Sequence, residues 1–436
     1  MRPLRFFTLS VLVTFGVLQP LIAQEVHEVI RQNLVEFDTV SDFRPLFDEI
    51  ENRHLVLMGE ATHGTSEFYT WRAELSKHLI KEKGFRFIAV EGDWPALSRI
   101  NAFVKQKPGA PETIDEAMAS IDRWPLWMWR NQEVKELVEW LAEYNLDRPE
   151  EERAGFYGID LYAEQQAMLD VVSWFESYDS DLADRAERTY RCLSRASGLQ
   201  SYLNRVARTG DDCSAEVEQV LEQVREFGAE RGIENDWDYF NAEQNAILVV
   251  NAEKHIRANL SGGPDSWNYR ASHFELTSRR LLDFYGEDAR GIVWAHNTHI
   301  GDARATEMGR QGAVNIGQLS REHWGYDLVY AIGFGTYRGD VFAATRWEGA
   351  RQEMQIPEAV DGSWEKMLQE TEVDRFYLLF SVSGLQQALN NNIPHRAIGV
   401  TYMPHQDRGN YVNTVLPDRY DAFIFISETG LLDPLD

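Results

Sequence analysis

The sequence has little positive charge, which excludes one large class of function. Among its 436 residues, 43 Lys and Arg stand against 70 Asp and Glu, a formal net charge of −27. A nucleic-acid-binding surface needs clustered positive charge, and no Lys/Arg-rich run occurs anywhere in the chain. We therefore expect no nucleic-acid partner.

Cysteine is scarce as well, with only Cys192 and Cys213 in the chain. Both stand in hydrophilic stretches, and two aspartates precede Cys213, where their negative charge disfavours a thiolate. Neither is therefore predicted to be a nucleophile. An exported protein permits a disulfide, but whether the two are joined or remain free thiols depends on geometry.

Several catalytic motifs are missing. The sequence contains no G-x-S-x-G elbow of a serine hydrolase. It also contains no P-loop and no G-x-G-x-x-G, the glycine-rich loops that hold phosphates. Serine hydrolases, cysteine hydrolases and phosphate-binding enzymes are therefore disfavoured.

Long hydrophobic runs are absent beyond the N-terminus. Residues 1–23 begin with Arg2 and Arg5, continue with an apolar stretch over 6–18 and end in Leu-Ile-Ala. This layout predicts a secretory signal cleaved after Ala23, giving an exported, periplasmic or secreted protein. A membrane anchor is the alternative, but the apolar stretch is shorter than the roughly 20 residues that span a bilayer.

The chain does have material for a core. Hydrophobic residues make up 44% of it, with 13 Trp, 17 Tyr and 22 Phe, so its acidity does not indicate disorder. Continuous apolar runs bounded by turn residues predict strands of a sheet covered on both faces. The predicted strands are 54–58, 86–90, 155–160, 291–295, 327–334, 340–345, 376–380, 397–402 and 421–426.

Helical periodicity fills the segments between the strands. A helix is predicted over 66–83, ending at Gly84, and the Thr113/Glu116 spacing is that of a capping box. Over 163–285 strand signals are absent and helical periodicity continues. We therefore predict an α/β fold, with a mixed, largely parallel sheet covered by helices. A helical bundle is inserted at 163–285 within one domain, 24–436.

Ionisable residues follow three predicted strands, in glycine-flanked turns. They are GEATHG (59–64) with Glu60 and His63, EGDW (91–94) with Glu91, and WAHNTHIG (294–301) with His296 and His299. In α/β sheets, reactive groups collect where strands end and loops begin. Each of these residues alone also suits a structural role such as an ion pair. Their joint placement predicts a reactive cleft.

Water then remains as the nucleophile, activated by a histidine base or by a metal. A histidine base needs a carboxylate to orient it and donors for the oxyanion, which either glutamate and Arg72 supply. The same residue types also suit a metal-dependent hydrolase, although no H-E-x-x-H spacing occurs. A third alternative is a non-enzymatic periplasmic protein that binds metal or heme through His296 and His299.

Taken together, these motifs resemble the erythromycin esterase family. The resemblance rests on G-E-x-x-H-G, an arginine nine residues past its histidine, E-G-D-W and W-A-H-N-x-H-I-G. It covers essentially the whole mature chain. Further similar stretches are 312–319, GFGTYRG (333–339) and SWEKML (363–368).

The resemblance implies ester hydrolysis by water without a covalent enzyme intermediate, and without a metal or other cofactor. The family's general base falls on His63. Its other active-site residues fall on Glu60, Arg72, Glu91, His296 and His299. By analogy, one glutamate orients the imidazole, while the arginine and one of the later histidines polarise the ester carbonyl and stabilise the oxyanion.

The family's named activity opens a macrolide lactone, a route to antibiotic resistance. A shared catalytic core does not fix what fills the cleft, so the motifs imply only a small-molecule ester substrate. The aromatic run over 124–130 suits either the wall of a large ligand site or core packing. The oligomeric state stays open.

Overall fold

The computed structural model describes residues 18–194 and 199–435. Most of the predicted signal segment, residues 1–23, lies outside this range. Among the described residues, no helix is long and apolar enough to cross a membrane.

Eleven strands occur in the described residues. They are β1 (Val35–Glu36), β2 (Leu55–Met58), β3 (Phe87–Asp93), β4 (Gly155–Asp160), β5 (Gly291–Trp294), β6 (Val329–Ala343), β7 (Gln352–Ile356), β8 (Arg375–Leu379), β9 (Asn392–Arg396), β10 (Tyr411–Val415) and β11 (Ala422–Thr429).

Eighteen α-helices occur in the same residues. They are α1 (Leu18–Asn33), α2 (Arg44–Ile50), α3 (Ser66–Lys83), α4 (Trp94–Val104), α5 (Ile114–Ala119), α6 (Gln132–Asn145), α7 (Glu164–Glu176), α8 (Ser180–Ser194), α9 (Leu199–Thr209), α10 (Ser214–Arg231), α11 (Trp237–Ala258), α12 (Asp265–Tyr285), α13 (Asn297–Ile300), α14 (Glu307–Arg310), α15 (Ile316–Trp324), α16 (Trp364–Gln369), α17 (Ser383–Ala388) and α18 (Leu416–Arg419).

Nine strands form one sheet, in the order β1-β8-β11-β6-β2-β5-β3-β4, with β7 paired to β6. The six strands from β11 to β4 run parallel. Strands β8, β1 and β7 join antiparallel, and β9 and β10 form a separate hairpin. The predicted α/β fold with a mixed, largely parallel sheet is confirmed.

The central strand β2 shows why the sheet is covered on both faces. Its four residues are fully buried, and they alternate between two core clusters. Leu55 and Leu57 belong to one cluster, and Val56 and Met58 to the other. Because successive side chains of a strand point to opposite faces, a continuous apolar strand requires a layer on each side.

Local signals placed two helices correctly. Helix α3 ends at Gly84, which adopts a φ of 73° and donates its N–H to the carbonyl of Leu79. Glycine reaches this left-handed conformation without steric cost. The capping box of α5 is present, with Thr113 accepting from the backbone N–H of Glu116.

Between β4 and β5 the described residues contain helices and no strand. Helices α7 to α12 fill the segment that the sequence assigned to a helical insertion, 163–285. Cys192, near the end of α8, and Cys213, just before α10, form a disulfide with their Cα atoms 5.7 Å apart. The bridge settles the pairing that the sequence left open and ties two helices of this segment together.

The strand predictions were wrong at several places, and β1 and β7 were also not predicted. The runs 327–334 and 340–345 are parts of the single long strand β6. The run 397–402 is not a strand: it is apolar because it packs beside two loops, with only isolated bridges from Ile398 and Thr401. The β9–β10 hairpin was missed because neither strand alternates apolar and polar residues, and β9 also contains a proline.

Candidate active site

The parallel strands bring the predicted site residues to one edge of the sheet. Strands β2, β3, β4 and β5 are neighbours with the same direction, so their carboxyl ends open on one side. The turn after β2, the end of β3 and the loop after β5 carry the three motifs. This edge is where ligands bind in open α/β sheets.

The glycines of the first motif allow a close approach between loops. A Cβ at Gly59 would lie 2.0 Å from the side-chain oxygen of Asn297. A Cβ at Gly64 would lie 2.1 Å from the carbonyl oxygen of Phe342. Only glycine fits at both positions. The turn that holds Glu60 can therefore pack closely against the loop after β5.

Glu60 and His63 face each other across this turn, and both are buried. Nδ1 of His63 lies 2.8 Å from Oε1 of Glu60. On the far side of the carboxylate, Nη2 of Arg72 donates to Oε2 at 2.6 Å. A carboxylate only accepts, so Nδ1 of His63 carries the proton and Nε2 keeps a lone pair in the neutral ring.

Arg72 lies behind Glu60 and away from the cleft. Its side chain is fully buried, with the guanidinium 4.5 Å from the ring centre of Tyr69 and 4.7 Å from that of Trp294. Neither Arg72 nor Glu60 lines the cleft. The structure therefore gives Arg72 a contact with Glu60 and no access to an ester carbonyl.

The surroundings of His63 favour its protonated form. Burial by itself lowers the pKa of this histidine, but the hydrogen bond to Glu60 and the charges of Glu91 and Glu60 outweigh burial. The pKa of His63 is therefore raised from its ordinary value of 6.5. A raised pKa makes the neutral imidazole a stronger base.

Glu91, in the last part of β3, is the centre of the second half of the site. Its Oε2 accepts the backbone N–H of His296 at 2.9 Å, and its Oε1 accepts from Nη2 of Arg270 at 2.8 Å. Nε2 of His299 lies 3.3 Å from Oε1. Burial opposes the charge of Glu91, but His299 and Arg270 outweigh it and hold the pKa of Glu91 well below its usual range.

Arg270, from α12 of the helical segment, joins Glu91 to the end of β4. Its Nε donates to Oδ1 of Asp160 at 2.9 Å, and its Nη2 donates to Oδ2 at 2.5 Å. Its Nη1 lies 3.0 Å from Nε2 of His299. Arg270 is thus a buried cation held by two carboxylates, and the helical segment supplies it to the cleft.

His296 is neutral in this environment. Burial and the neighbouring His63 hold its pKa well below the ordinary value. Nδ1 of His296 accepts the backbone N–H of Thr298 at 3.2 Å, so the proton of the neutral ring is on Nε2. Among the described residues, Nε2 of His296 has no hydrogen-bond partner. This atom is itself buried, and the ring is close enough to the carbonyl of Ala61 for that group to favour the protonated form, while the side chain lines the cleft.

His299 lies flat against Trp267, with ring centres 4.3 Å apart and an interplanar angle of 8°. Nε2 of His299 lies 3.0 Å from Nη1 of Arg270 and 3.3 Å from Oε1 of Glu91, so it can accept from the guanidinium or donate to the carboxylate. Burial lowers the pKa of His299, in keeping with a neutral ring.

These residues close one end of a cleft of about 450 Å³, a volume typical of small-molecule sites. Four of the six predicted site residues line it: His63, Glu91, His296 and His299. The cleft continues along Arg123, which is bonded to Asp93, towards the exposed ring of Trp347. In the aromatic run over 124–130, Trp129 lines the cleft and its Nε1 donates to the carbonyl of Glu91 at 2.8 Å.

The site is not arranged as a metal centre. In residues 18–194 and 199–435, no group of three or more His, Cys, Asp or Glu side chains is placed to hold an ion. Glu91 and His299 both contact the guanidinium of Arg270. A fixed cation therefore occupies the position that a metal bound to these two side chains would take.

Sequence reasoning missed Asp160 and Arg270. Asp160 ends the predicted strand 155–160, so the rule that singled out Glu60 and Glu91 also applies to it. Arg270 gives no comparable signal, because it stands inside a long helix 110 residues from Asp160 in sequence. Only the packing of that helix on the sheet brings it to the cleft.

Comparisons with known proteins agree with this architecture. A family model described as erythromycin esterase matches residues 80–429. Erythromycin esterase type II from Escherichia coli is 24% identical over 415 residues, which cover 90% of this chain and 94% of that protein.

Solved structures show the same fold. A succinoglycan biosynthesis protein gives a TM-score of 0.77 at 22% identity, covering 94% of this chain and 98% of its own. A Bacillus cereus protein gives 0.80 at 17% identity, covering 95% and 99%. The erythromycin esterase mutant EreC in its open conformation gives 0.61 at 16%, covering 90% and 94%.

The match of the family model begins within α3 and ends with β11, and so includes most of the sheet and the helical segment. The resemblance to the family is thereby confirmed, and the matched range includes the second and third motifs but not the first, 59–64. This chain belongs to the erythromycin esterase family.

Proposed function

We propose that this protein is a carboxylic ester hydrolase in which His63 activates a water molecule, without a covalent enzyme intermediate. One observation carries the proposal: the chain Arg72–Glu60–His63 ends at the cleft with a free lone pair on Nε2 of His63. A base held by a carboxylate beside a ligand-sized cleft is the arrangement that general-base catalysis requires.

The reaction follows from this tautomer. Nε2 of His63 takes a proton from water as the water oxygen attacks the ester carbonyl carbon. The resulting imidazolium is stabilised by Glu60 and then gives the proton to the leaving alkoxide as the ester C–O bond breaks. The products are a carboxylic acid and an alcohol, and His63 is again neutral.

The tetrahedral intermediate carries a negative oxygen that needs a donor. His296 supports this role, because it is neutral and its Nε2–H has no partner among the described residues. Its ring centre lies 4.9 Å from that of His63, so one carbonyl group can reach both. A donor oriented before the reaction stabilises the oxyanion without reorganisation.

Arg270 adds positive charge on the same side of the cleft. Its guanidinium is held by Glu91 and Asp160, and about 12% of the side chain is exposed. We assign Glu91 a positioning role, because it accepts the backbone N–H of His296 and fixes Arg270. Arg72 positions Glu60, and therefore acts on His63 only through Glu60.

Macrolide lactones are the first substrate class to test. They enter through the printed name of the Escherichia coli relative, and the size and aromatic walls of the cleft suit a large, partly apolar ester. Export remains part of the proposal, supported by the Cys192–Cys213 disulfide, because such bonds persist in oxidising compartments.

A hydrolysis screen of the purified protein tests the proposal. The panel contains macrolides, simple aryl esters and sugar esters, and His63→Ala is assayed beside the wild type. We expect at least one ester to be hydrolysed by the wild type and spared by the variant. Hydrolysis by both proteins at the same rate, or of no ester at all, would contradict the proposal.

A further inference from the structure

The loop after β5, residues 296–301, rests on a buried arginine that the proposed reaction does not use. We propose that Arg419 is a positioning residue, which acts through the Asn297 carbonyl to set the two cleft histidines on either side of it. The inference rests on the proposed function for its catalytic readout. The contacts that support it are independent of the substrate.

Asn297 is the fixed point of this loop, because each of its polar groups is bonded. Its backbone N–H donates to the carbonyl of Glu60 at 2.9 Å. Its side chain pairs with the backbone of Phe334 in β6, donating at 2.6 Å and accepting at 3.2 Å. Its carbonyl accepts from Nη2 of Arg419 at 2.9 Å. Asn297, which stands between the two histidines in sequence, thus connects the turn that holds Glu60, strand β6 and Arg419.

Arg419 itself is fully buried and forms no ion pair with the part of the chain that the structure describes. Its Nη1 donates to Oγ1 of Thr414 at 2.8 Å, and no carboxylate of the described residues lies within 4.0 Å of its guanidinium. Two carboxylates act on its charge from farther away, and both are bonded elsewhere. Glu365 is bonded to Nδ1 of His395 at 2.6 Å and to the backbone of Arg396, and Asp302 is paired with Arg304 and Arg321. Burial accordingly lowers the pKa of Arg419.

A buried cation without a counter-charge is costly to stability. An apolar side chain of similar length would fill the same space without that cost, so packing alone does not account for an arginine here. Its distinctive contribution is a donor aimed at the Asn297 carbonyl. The loop also lies directly on it, since a Cβ at Gly301 would meet Cγ of Arg419 at 2.6 Å.

The polar partners of Arg419 keep other bonds when it is removed. The Asn297 carbonyl also accepts the N–H of Gly301 at 3.2 Å, and Oγ1 of Thr414 also donates to the carbonyl of Val412 at 3.0 Å. Arg419→Met therefore leaves neither group without a partner. This substitution separates positioning from support of the fold.

The test compares Arg419→Met with Arg419→Lys and with the matched control Arg280→Met. Arg280 is part-buried and bonds Glu243 and Gln244 within the helical segment. For Arg419→Met we expect an unchanged or higher melting temperature, a kcat about 10- to 100-fold lower and a nearly unchanged KM, because small displacements of catalytic groups are costly. Arg419→Lys should recover part of kcat, and Arg280→Met should keep it.

A second readout does not depend on catalysis. NMR spectra of protein labelled in its histidine rings should show shifted His296 and His299 signals in Arg419→Met and unshifted ones in Arg280→Met. If the wild type hydrolyses no ester, the proposed function fails and these spectra still decide the positioning role. Unshifted ring signals, wild-type kcat in Arg419→Met, or failure of that variant to fold would overturn the inference.

Discussion

The rings of His63 and His296 lie with their centres 4.9 Å apart, and their pKa values are displaced in opposite directions. Burial lowers the pKa of both, but only His63 bonds a carboxylate strongly enough to reverse the effect. In the proposed mechanism, His63 is therefore the ring that exchanges protons, while His296 stays neutral and donates. Opposite pKa shifts in two neighbouring groups indicate that one acts as the base and the other as the acid.

The first prediction concerns the pH dependence of hydrolysis. Because the base must be neutral, kcat/KM should increase with pH and level off above the pKa of His63. That pKa is raised, so the midpoint of the rise should lie above 6.5. In Glu60→Gln the hydrogen-bonded charge is gone while burial remains, so the midpoint should move to lower pH. Initial rates from pH 5 to 9 measure both.

The same variant should also lower kcat, by about 100-fold or more, because the carboxylate that holds the imidazole is lost. Glu67→Gln is a suitable control, since Glu67 lies on α3 and bonds the backbone of Gly430. A Glu60→Gln profile with an unshifted midpoint would contradict the assignment of Glu60.

The second prediction concerns Arg270, which bridges the helical segment and the sheet. Arg270→Met leaves Glu91 and Asp160 without their shared counter-charge, which should destabilise the fold by about 3–5 kcal/mol. Arg270→Lys keeps the positive charge but cannot make the bidentate contact of a guanidinium. It should therefore be more stable than Arg270→Met while still having a lower kcat than the wild type. Urea unfolding and kcat measured on both variants test this. Full activity in Arg270→Lys would show that the fork geometry is not needed.

The residues of the cleft show which parts of the site could be predicted from the sequence. The turn GEATHG predicted that Glu60 and His63 lie close together at one edge of the sheet, but which glutamate bonds His63 was decided only by the structure. It could not show that Arg72 points away from the cleft, since the direction of a helical side chain depends on how α3 packs. Arg270 could not be predicted for the same reason. Asp160 could have been predicted, because it ends a predicted strand.

In the fold as well, some elements could be predicted from the sequence and others could not. Fully apolar runs such as β2 were readable, because burial on both faces leaves a continuous hydrophobic signal. The run 397–402 gave the same signal, but it pairs only through isolated bridges, and only Ile398 and Tyr402 in it are buried. The β9–β10 hairpin pairs through its backbone, and neither strand has the regular apolar alternation that would have predicted it.

The third prediction concerns the disulfide. Replacing both Cys192 and Cys213 by Ser should lower the free energy of unfolding by about 3 kcal/mol, as expected for a loop of this length. Activity should be unchanged, because neither residue lines the cleft. Chemical denaturation and kcat measure the two effects. Loss of kcat in a folded double variant would show that the bridge shapes the cleft.

The fourth prediction concerns metal removal. Since Arg270 occupies the position between Glu91 and His299, dialysis against a strong chelator should leave kcat unchanged. Metal analysis of the dialysed protein provides the control. Activity that disappears with the metal and returns with added zinc would favour the metal-dependent alternative.

The most direct test of the account compares kcat/KM of the wild type, His63→Gln and the control His78→Gln on one hydrolysed ester. His78 lies on α3, stacked on Phe47 and away from the cleft. We predict a loss of about 10²–10⁴-fold in His63→Gln, at an unchanged melting temperature, and no loss in His78→Gln. Wild-type kcat/KM in a folded His63→Gln protein would contradict the claim that His63 activates water.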